Sequence, residues 1–327
     1  MIDSHGRTIR DLRLSIIDRC NFRCVYCMNP DVRFAPAAEL LSVDELIRVA
    51  RLCVGLGVRR IRLTGGEPTV HPRLDEIIEG VARLGIDDLS MTTNGSLIDD
   101  QTLARWKSLG LHRLTFSLDS LRPEVFAAMT RSTTPAATVT NAIVAARAAG
   151  LGPIKVNAVI VRGWNENEVP SLAALAGELG IEMRFIEYMP LDSGHAWEPG
   201  KLVPAQEILQ RAAAVGELVP LGKAENSSTS DTYVFADGRP GRIGLIAPVT
   251  RPFCGQCSRL RITADGQIRP CLFSLSEFDV RAVLRSGRDD EAVERFLIDA
   301  TWQKQAGHGI TSPEFTQPAR PMSAIGG

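Results

Sequence analysis

Six of the seven cysteines in this 327-residue chain fall into two triplets, Cys20, Cys24 and Cys27 near the start and Cys254, Cys257 and Cys271 near the end. A cubane [4Fe–4S] cluster normally takes four cysteine ligands, so a triplet leaves one iron free to bind something other than protein. A structural zinc site instead wants four protein ligands. For the first triplet, with spacing C-x3-C-x2-C in CNFRCVYC, a zinc loop would need a distant histidine. His5, His71 and His112 are nearest in sequence, and none has the short, regular spacing of zinc sites. For the second triplet a zinc knuckle completed by His308 remains the alternative. The segment between its ligands favours an open cluster. Ser258–Ile262 reads as a strand, so Arg259 and Arg261 point to one face. Two guanidiniums beside metal ligands make an anion site suited to phosphate. A further element is GGEP at 65–68, where two glycines let backbone approach a ligand without interference from Cβ.

These residues need a scaffold, and the sequence supplies one. Strand-like runs at 12–16, 59–64, 88–93, 113–118, 154–161 and 182–188 alternate with stretches of helical periodicity that end in glycine. Six βα units in series predict a parallel sheet, closing into a (β/α)6 partial barrel; a doubly wound open sheet fits the pattern as well. GGEP, TTNG, Ser117, Asp119 and Met189 all lie at or just past strand ends, where parallel α/β folds bind ligands. The polar segment 223–232 reads as a loop, and FADGRPGRIGLI after it as a hairpin. The expected division is a barrel at 1–220 and an extension at 221–327 that closes the open side and carries the second triplet.

Composition is that of an ordinary globular protein, with 37 Lys plus Arg against 38 Asp plus Glu and a net charge of −1. That balance gives no general reason to expect nucleic acid or an anionic membrane as a partner. The first twenty residues lack an apolar signal segment, so the expected location is cytoplasmic. An odd number of cysteines in a reducing compartment points to metal or redox chemistry rather than disulfides. Cys53, the seventh, sits in a helical stretch as a small buried hydrophobe.

The CNFRCVYC loop followed by GGEP resembles the radical S-adenosylmethionine (SAM) superfamily, whose open iron chelates the amino and carboxylate groups of SAM. DLRLSIIDRCNFRCVYCM, GGEP, TTNG, KVN (155–157), RFIEYM (184–189), CGQCSRLR with Cys271 and the final IGG together resemble, nearly end to end, the GTP 3′,8-cyclase family of molybdenum-cofactor biosynthesis. The resemblance implies a lyase with two [4Fe–4S] clusters and SAM as cofactors. Cys20, Cys24 and Cys27 would hold the SAM cluster, and Tyr26, Gly66, Ser117 and Met189 would line the SAM site. Cys254, Cys257 and Cys271 would hold the second cluster, whose open iron meets the guanine of GTP. Arg13, Arg62, Thr92, Lys155, Arg259, Leu260 and Arg261 would contact GTP, with Gly326 and Gly327 reaching in from the tail. The implied chemistry is a 5′-deoxyadenosyl radical taking the 3′ hydrogen of GTP, then addition of C3′ to C8, giving 3′,8-cyclo-7,8-dihydro-GTP. An electron donor, hand-over of product to the next enzyme of molybdopterin synthesis and a homodimer are also implied. One departure is visible. The family reads Cys-Met-Pro after the third ligand, whereas here Asn29 intervenes between Met28 and Pro30. Two rivals remain: another radical SAM enzyme with an auxiliary cluster, such as a peptide-modifying one, and a non-enzymatic zinc or iron–sulfur protein.

Overall fold

The computed structural model describes residues 1–192 and 197–326. Six parallel strands run where the alternation predicts them: β1 (Asp11–Ser15), β2 (Arg60–Thr64), β3 (Asp88–Thr93), β4 (Arg113–Ser117), β5 (Lys155–Ile160) and β6 (Glu182–Glu187). Between them lie α1 (Val43–Gly55), α2 (Leu74–Ala82), α3 (Asp100–Ser108), α4 (Pro123–Thr130), α5 (Ala136–Ala148) and α6 (Val169–Leu179). Local chemistry fixes their ends. Ser42 and Glu45 form a reciprocal capping box at the start of α1, and Gly180 takes the left-handed conformation that closes α6. On each strand one set of alternate residues, such as Leu12, Leu14, Ile61 and Leu63, packs against the helices in one large core that includes Cys53. The other set faces inward and is polar apart from Val159 and Ile186.

The rest of the chain adds α7 (Ala205–Ala212), β7 (Leu218–Gly222), β8 (Asp231–Phe235), β9 (Arg242–Ile246), β10 (Arg259–Ile262), β11 (Gln267–Arg269), β12 (Phe278–Asp279), α8 (Val280–Arg285), α9 (Asp290–Trp302) and α10 (Met322–Ile325). The 12 strands form one sheet, ordered β12-β11-β10-β1-β2-β3-β4-β5-β6-β9-β8-β7. The expected hairpin is β8 and β9, although the loop before it is shorter than read, because Asp231 and Thr232 already belong to β8. The extension does not join the two edges of the barrel. It lengthens both, with β10 parallel to β1 and β9 parallel to β6, and its loops cover the inward face. β7 straddles residue 220. Among the described residues no helix is long and apolar enough to cross a membrane.

Register decides what the inward face offers. At the N-terminal ends of the strands, Arg60 pairs with Asp11 at 2.6 Å and Arg113 with Asp88 at 2.5 Å, so those charges offset one another, whereas Arg259 is in register with Asp11. Two residues further along, Arg13 lies opposite both Arg62 and Arg261. In the next layer Ser15 faces Thr64, and Thr92 faces Thr115.

Candidate active site

All six triplet cysteines line one cavity of about 280 Å³ at the C-terminal ends of the strands. The first triplet sits on the loop after β1. The carbonyl of Cys24 accepts from the amides of Cys27 (2.9 Å) and Met28 (3.0 Å), a tight turn that brings the later ligands together. GGEP pins this loop, since Gly66 N donates to Ile17 O and Glu67 N to Arg19 O, both at 2.8 Å. A Cβ on Gly66 would run into the backbone of Asp18 and Arg19, coming within 2.6 Å of Asp18 O. The glycine is therefore required by the cysteine loop as well as by any ligand. Buried Glu67 accepts from Thr93 Oγ1 and Asn94 N at 2.7 Å, and Asn94 Nδ2 donates to Asn21 Oδ1 at 2.8 Å, which ties TTNG into the same network. The inserted Asn29 caps its own turn through Asp31 N, at 2.9 Å. Gly66→Ala should cost about 1–3 kcal/mol of stability by overpacking. The expected readouts are a lower urea midpoint and loss of iron from the first site; wild-type values of both would show that the loop yields.

Burial pushes the Cys20 thiol up to about 11 and Cys27 up to about 12, and raises Cys24 well above the ordinary range, with neighbouring thiols and carboxylates adding to it. Three thiolates here are unfavourable without a compensating cation, and metal binding supplies one as the protons leave. Among the described residues no three ligating side chains converge on one point that a single metal ion could occupy. A cubane does not ask for that, because each thiolate binds a different iron. The residues fit the cluster. Tyr26 donates to Asp119 Oδ2 at 2.7 Å, and Val159 N donates to Asp119 Oδ1 at 2.8 Å. Burial raises the Asp119 carboxyl to about 6 against these two donors. Tyr26, Gly66, Ser117 and Met189 all stand on the cavity wall.

The second triplet is built from three parts of the chain. Cys254 begins a 3-10 turn whose carbonyl accepts from Cys257 N, and Cys271 follows β11. Arg7, ion-paired to Asp3 at 2.6 Å, donates to Cys254 O (2.9 Å), Ala306 O (3.0 Å) and Gln305 O (2.7 Å), binding the turn to the chain beyond α9. Buried Lys304 donates to Arg259 O at 2.8 Å and to Pro270 O. Burial raises the Cys257 thiol, but the Arg259 and Lys304 cations outweigh it and bring Cys257 down to about 6. Arg259 Nη2 lies 3.2 Å from Cys257 Sγ, with the guanidinium over the Phe253 ring. The zinc-knuckle alternative loses its fourth ligand. His308 Nδ1 accepts from Ile310 N at 3.2 Å, so in the neutral ring the proton sits on Nε2 and no lone pair is left for a metal. His5, His71 and His112 do not line the cavity.

Arg13, Arg62, Arg259 and Arg261 all face the cavity, and none pairs with a carboxylate among the described residues. Removal from water, then mutual repulsion, depresses Arg13 and Arg62 well below the usual guanidinium range, and Arg261 to about 9. Beside them the Oγ1 atoms of Thr64, Thr92 and Thr115 and Oδ1 of Asn157 are buried without partners. Native interiors rarely leave such atoms unsatisfied, so unpaired guanidiniums beside unpartnered hydroxyls fit a polyanion carrying hydroxyl groups. Arg261 Nη1 already donates to Gly326 O at 2.8 Å, which brings the tail to the site; Gly327 lies outside the described residues.

Two expected contacts are placed differently. The Leu260 side chain is in the core, because strand alternation turns it away from Arg259 and Arg261, so only its backbone can face a ligand. Lys155 is off the cavity wall, 3.6 Å from Glu182, with burial and then Arg184 lowering it to about 8. Asp119, expected at the ligand-binding end of its strand, is on the cavity wall, as are Asn157 and Arg184, which were not among the expected contacts. The inward register of β5 and β6 was the signal for the last two.

An open parallel barrel with three cysteines on the loop after β1 and a glycine-rich turn after β2 defines the radical SAM class. Residues 14–176 match the Radical SAM superfamily, and residues 181–310 match Molybdenum Cofactor Synthesis C. The structure of Streptococcus suis SuiB bound to S-adenosylmethionine superposes with a TM-score of 0.67 at 15% identity, covering 93% of this chain and 68% of that one. Native anSMEcpe with bound AdoMet gives 0.58 at 12% identity, covering 92% and 82%. At those identities the likeness shows the fold alone. GTP 3′,8-cyclase of Streptomyces coelicolor is 46% identical over 100% of this chain and 96% of its own length. That of Rhodopirellula baltica is 44% identical over 100% and 92%. The chain belongs to the GTP 3′,8-cyclase family.

Proposed function

We infer that this protein is a radical SAM lyase that converts GTP to 3′,8-cyclo-7,8-dihydro-GTP in the first step of molybdenum-cofactor biosynthesis. One observation carries the reading: two cysteine triplets and four arginines without carboxylate partners share a single cavity. Bound at the first triplet, a cluster and SAM supply one-electron reductive cleavage and a carbon-centred hydrogen abstractor. The chain's own part is position, charge and exclusion of water. Cys20, Cys24 and Cys27 hold the first cluster. Tyr26, Gly66, Ser117 and Met189 bound the SAM site, with Asp119 holding the Tyr26 hydroxyl.

Cys254, Cys257 and Cys271 hold a second cluster, and the purine of GTP docks beside it. Arg13, Arg62 and Arg261 receive the triphosphate, the hydroxyl of Thr92 faces the sugar, and Gly326 orders the tail against Arg261. Arg259 is divided between substrate and the Cys257 sulfur. Lys155 acts through the field at the floor rather than by direct contact. In this division residues 1–220 hold the SAM site and supply Arg13, Arg62 and Thr92 to GTP, and residues 221–327 supply the second cluster, Arg261 and the tail. An external electron donor, a homodimer and delivery of product to the next enzyme complete the proposal, on family membership.

Arg13 is the cleanest test, since it touches neither triplet. Losing one charge-assisted contact costs roughly 1.5–3 kcal/mol, so Arg13→Ala should weaken GTP roughly ten- to hundredfold. SAM affinity should stay unchanged. Equal weakening of both ligands in equilibrium titrations, or of neither, would contradict the triphosphate assignment.

A further inference from the structure

The segment that follows α9 packs against the second triplet. Gln305 and Ala306 are held through their carbonyls by Arg7, and a Cβ on Gly307 would stand 3.7 Å from the Cβ of Cys254. Lys304 opens this segment. It is 3% exposed, and its Nζ donates to Arg259 O at 2.8 Å and to Pro270 O. Arg259 stands two residues after Cys257, and Pro270 immediately precedes Cys271. One ammonium therefore joins the backbone segments that carry two of the three ligands, and it lies on the wall of the same cavity.

A neutral donor would bridge two carbonyls as well, so the bridge alone leaves the charge unexplained. Burying an ammonium is costly unless an opposite charge compensates it. Arg7 has such a partner in Asp3. Lys304 pairs with no carboxylate among the described residues; the anionic groups that act on it are the Cys257 and Cys271 thiolates, against Arg259 and Arg7. Arg259 also reaches Cys257 Sγ, at 3.2 Å, but its guanidinium faces the cavity and is shared with substrate. A cubane held by three thiolates is anionic, more so after one-electron reduction, and its potential follows the net charge around it. We propose that Lys304 is the counter-charge of the second cluster, held by the carbonyls of Arg259 and Pro270 where it stabilises the cluster's reduced form. The inference rests on the preceding assignment of a cluster to that triplet.

The test uses full-length protein with both clusters loaded anaerobically and iron counted. Each cluster's midpoint potential is read by electron paramagnetic resonance during a dithionite titration, the second-cluster signal being the one missing from Cys271→Ala. Wild type is compared with three variants. Lys304→Met and Lys304→Gln remove the charge, glutamine keeping an amide donor for the carbonyls, and Lys304→Arg keeps the charge. Both neutral variants should shift the second-cluster reduction equilibrium about tenfold or more toward the oxidised form, ~59 mV downward for a one-electron couple. The first cluster's potential should stay unchanged, and arginine should stay close to wild type. A neutral variant that keeps its iron at the wild-type second-cluster potential overturns the inference. If the neutral variants lose second-cluster iron while arginine keeps both iron and potential, the charge is what holds the cluster and the inference stands. Loss of that iron in all three variants makes Lys304 a structural bridge and overturns it. If wild type shows no signal beyond those of Cys271→Ala, the second-cluster assignment fails and the inference falls with it. A normal wild-type signal beside indifferent neutral variants defeats the inference alone.

Discussion

Cys24→Ala is expected to reduce SAM cleavage to background and to remove one cluster, taking iron from about eight per chain to about four. The reasoning starts from the environment of the thiol. Burial is the largest influence on Cys24, followed by Asp119 and the other two cysteines of the loop, all of which disfavour a bare thiolate. A cubane reverses that balance by neutralising three thiolates together, and two thiolates cannot hold it in the same pose. Among the described residues the neighbouring carboxylates are already engaged, Glu67 by Thr93 and Asn94. Asp119 is engaged by the Tyr26 hydroxyl and the Val159 amide. Cys271→Ala should lose as much iron with a different phenotype, because the first cluster and its network through Glu67 and Asn94 are untouched. That variant should still cleave SAM while forming no cyclic product. Zinc in anaerobically prepared protein, or SAM cleavage surviving in Cys24→Ala, would defeat the two-cluster assignment.

The difference between those two variants lies in parts of the fold of unequal legibility. Strands β1 to β6 were readable because each buries one set of alternate side chains against helices and turns the other inward, a signal confined to a few residues. The attachment of β9 and β10 to opposite edges of the sheet was not readable. Parallel pairing of Arg13 with Arg261 spans most of the chain, and nothing local in SRLRI names its partner. Leu260 was open to correction from sequence, since a residue between two same-face arginines must point the other way. Gly66 was identified, but only part of its cause was visible, because the collision it avoids is with carbonyls of a loop forty-odd residues earlier. His308 carried a metal-ligand reading that its spacing allowed and its tautomer refuses. What fixes that tautomer is a backbone amide two residues on, a contact that spacing does not encode.

Removing Gly326 and Gly327 is expected to leave clusters, fold and SAM binding intact while abolishing cyclic product. The upstream tail has its own anchors. Arg320 pairs with Asp265 at 2.7 Å and with Glu277 at 2.7 Å, and Met322 N donates to Leu191 O at 2.9 Å, so α10 stays docked without the last two residues. What is lost is the Gly326 carbonyl on buried Arg261, at 2.8 Å. Without it a desolvated guanidinium loses a charge-assisted hydrogen bond worth about 1.5–3 kcal/mol and is no longer held in one rotamer. The glycine itself is required twice over. Its φ of +78° lies in the left-handed region, and a Cβ there would come within 2.8 Å of Thr64 Oγ1 and 3.1 Å of Ser15 Cβ. Gly326→Ala should therefore impair turnover in the same direction as the deletion, with GTP affinity falling and SAM affinity unchanged. Near-normal product formation by the truncated protein, with both clusters verified as full, would show that Arg261 binds substrate without the tail and that the carbonyl contact is incidental to catalysis.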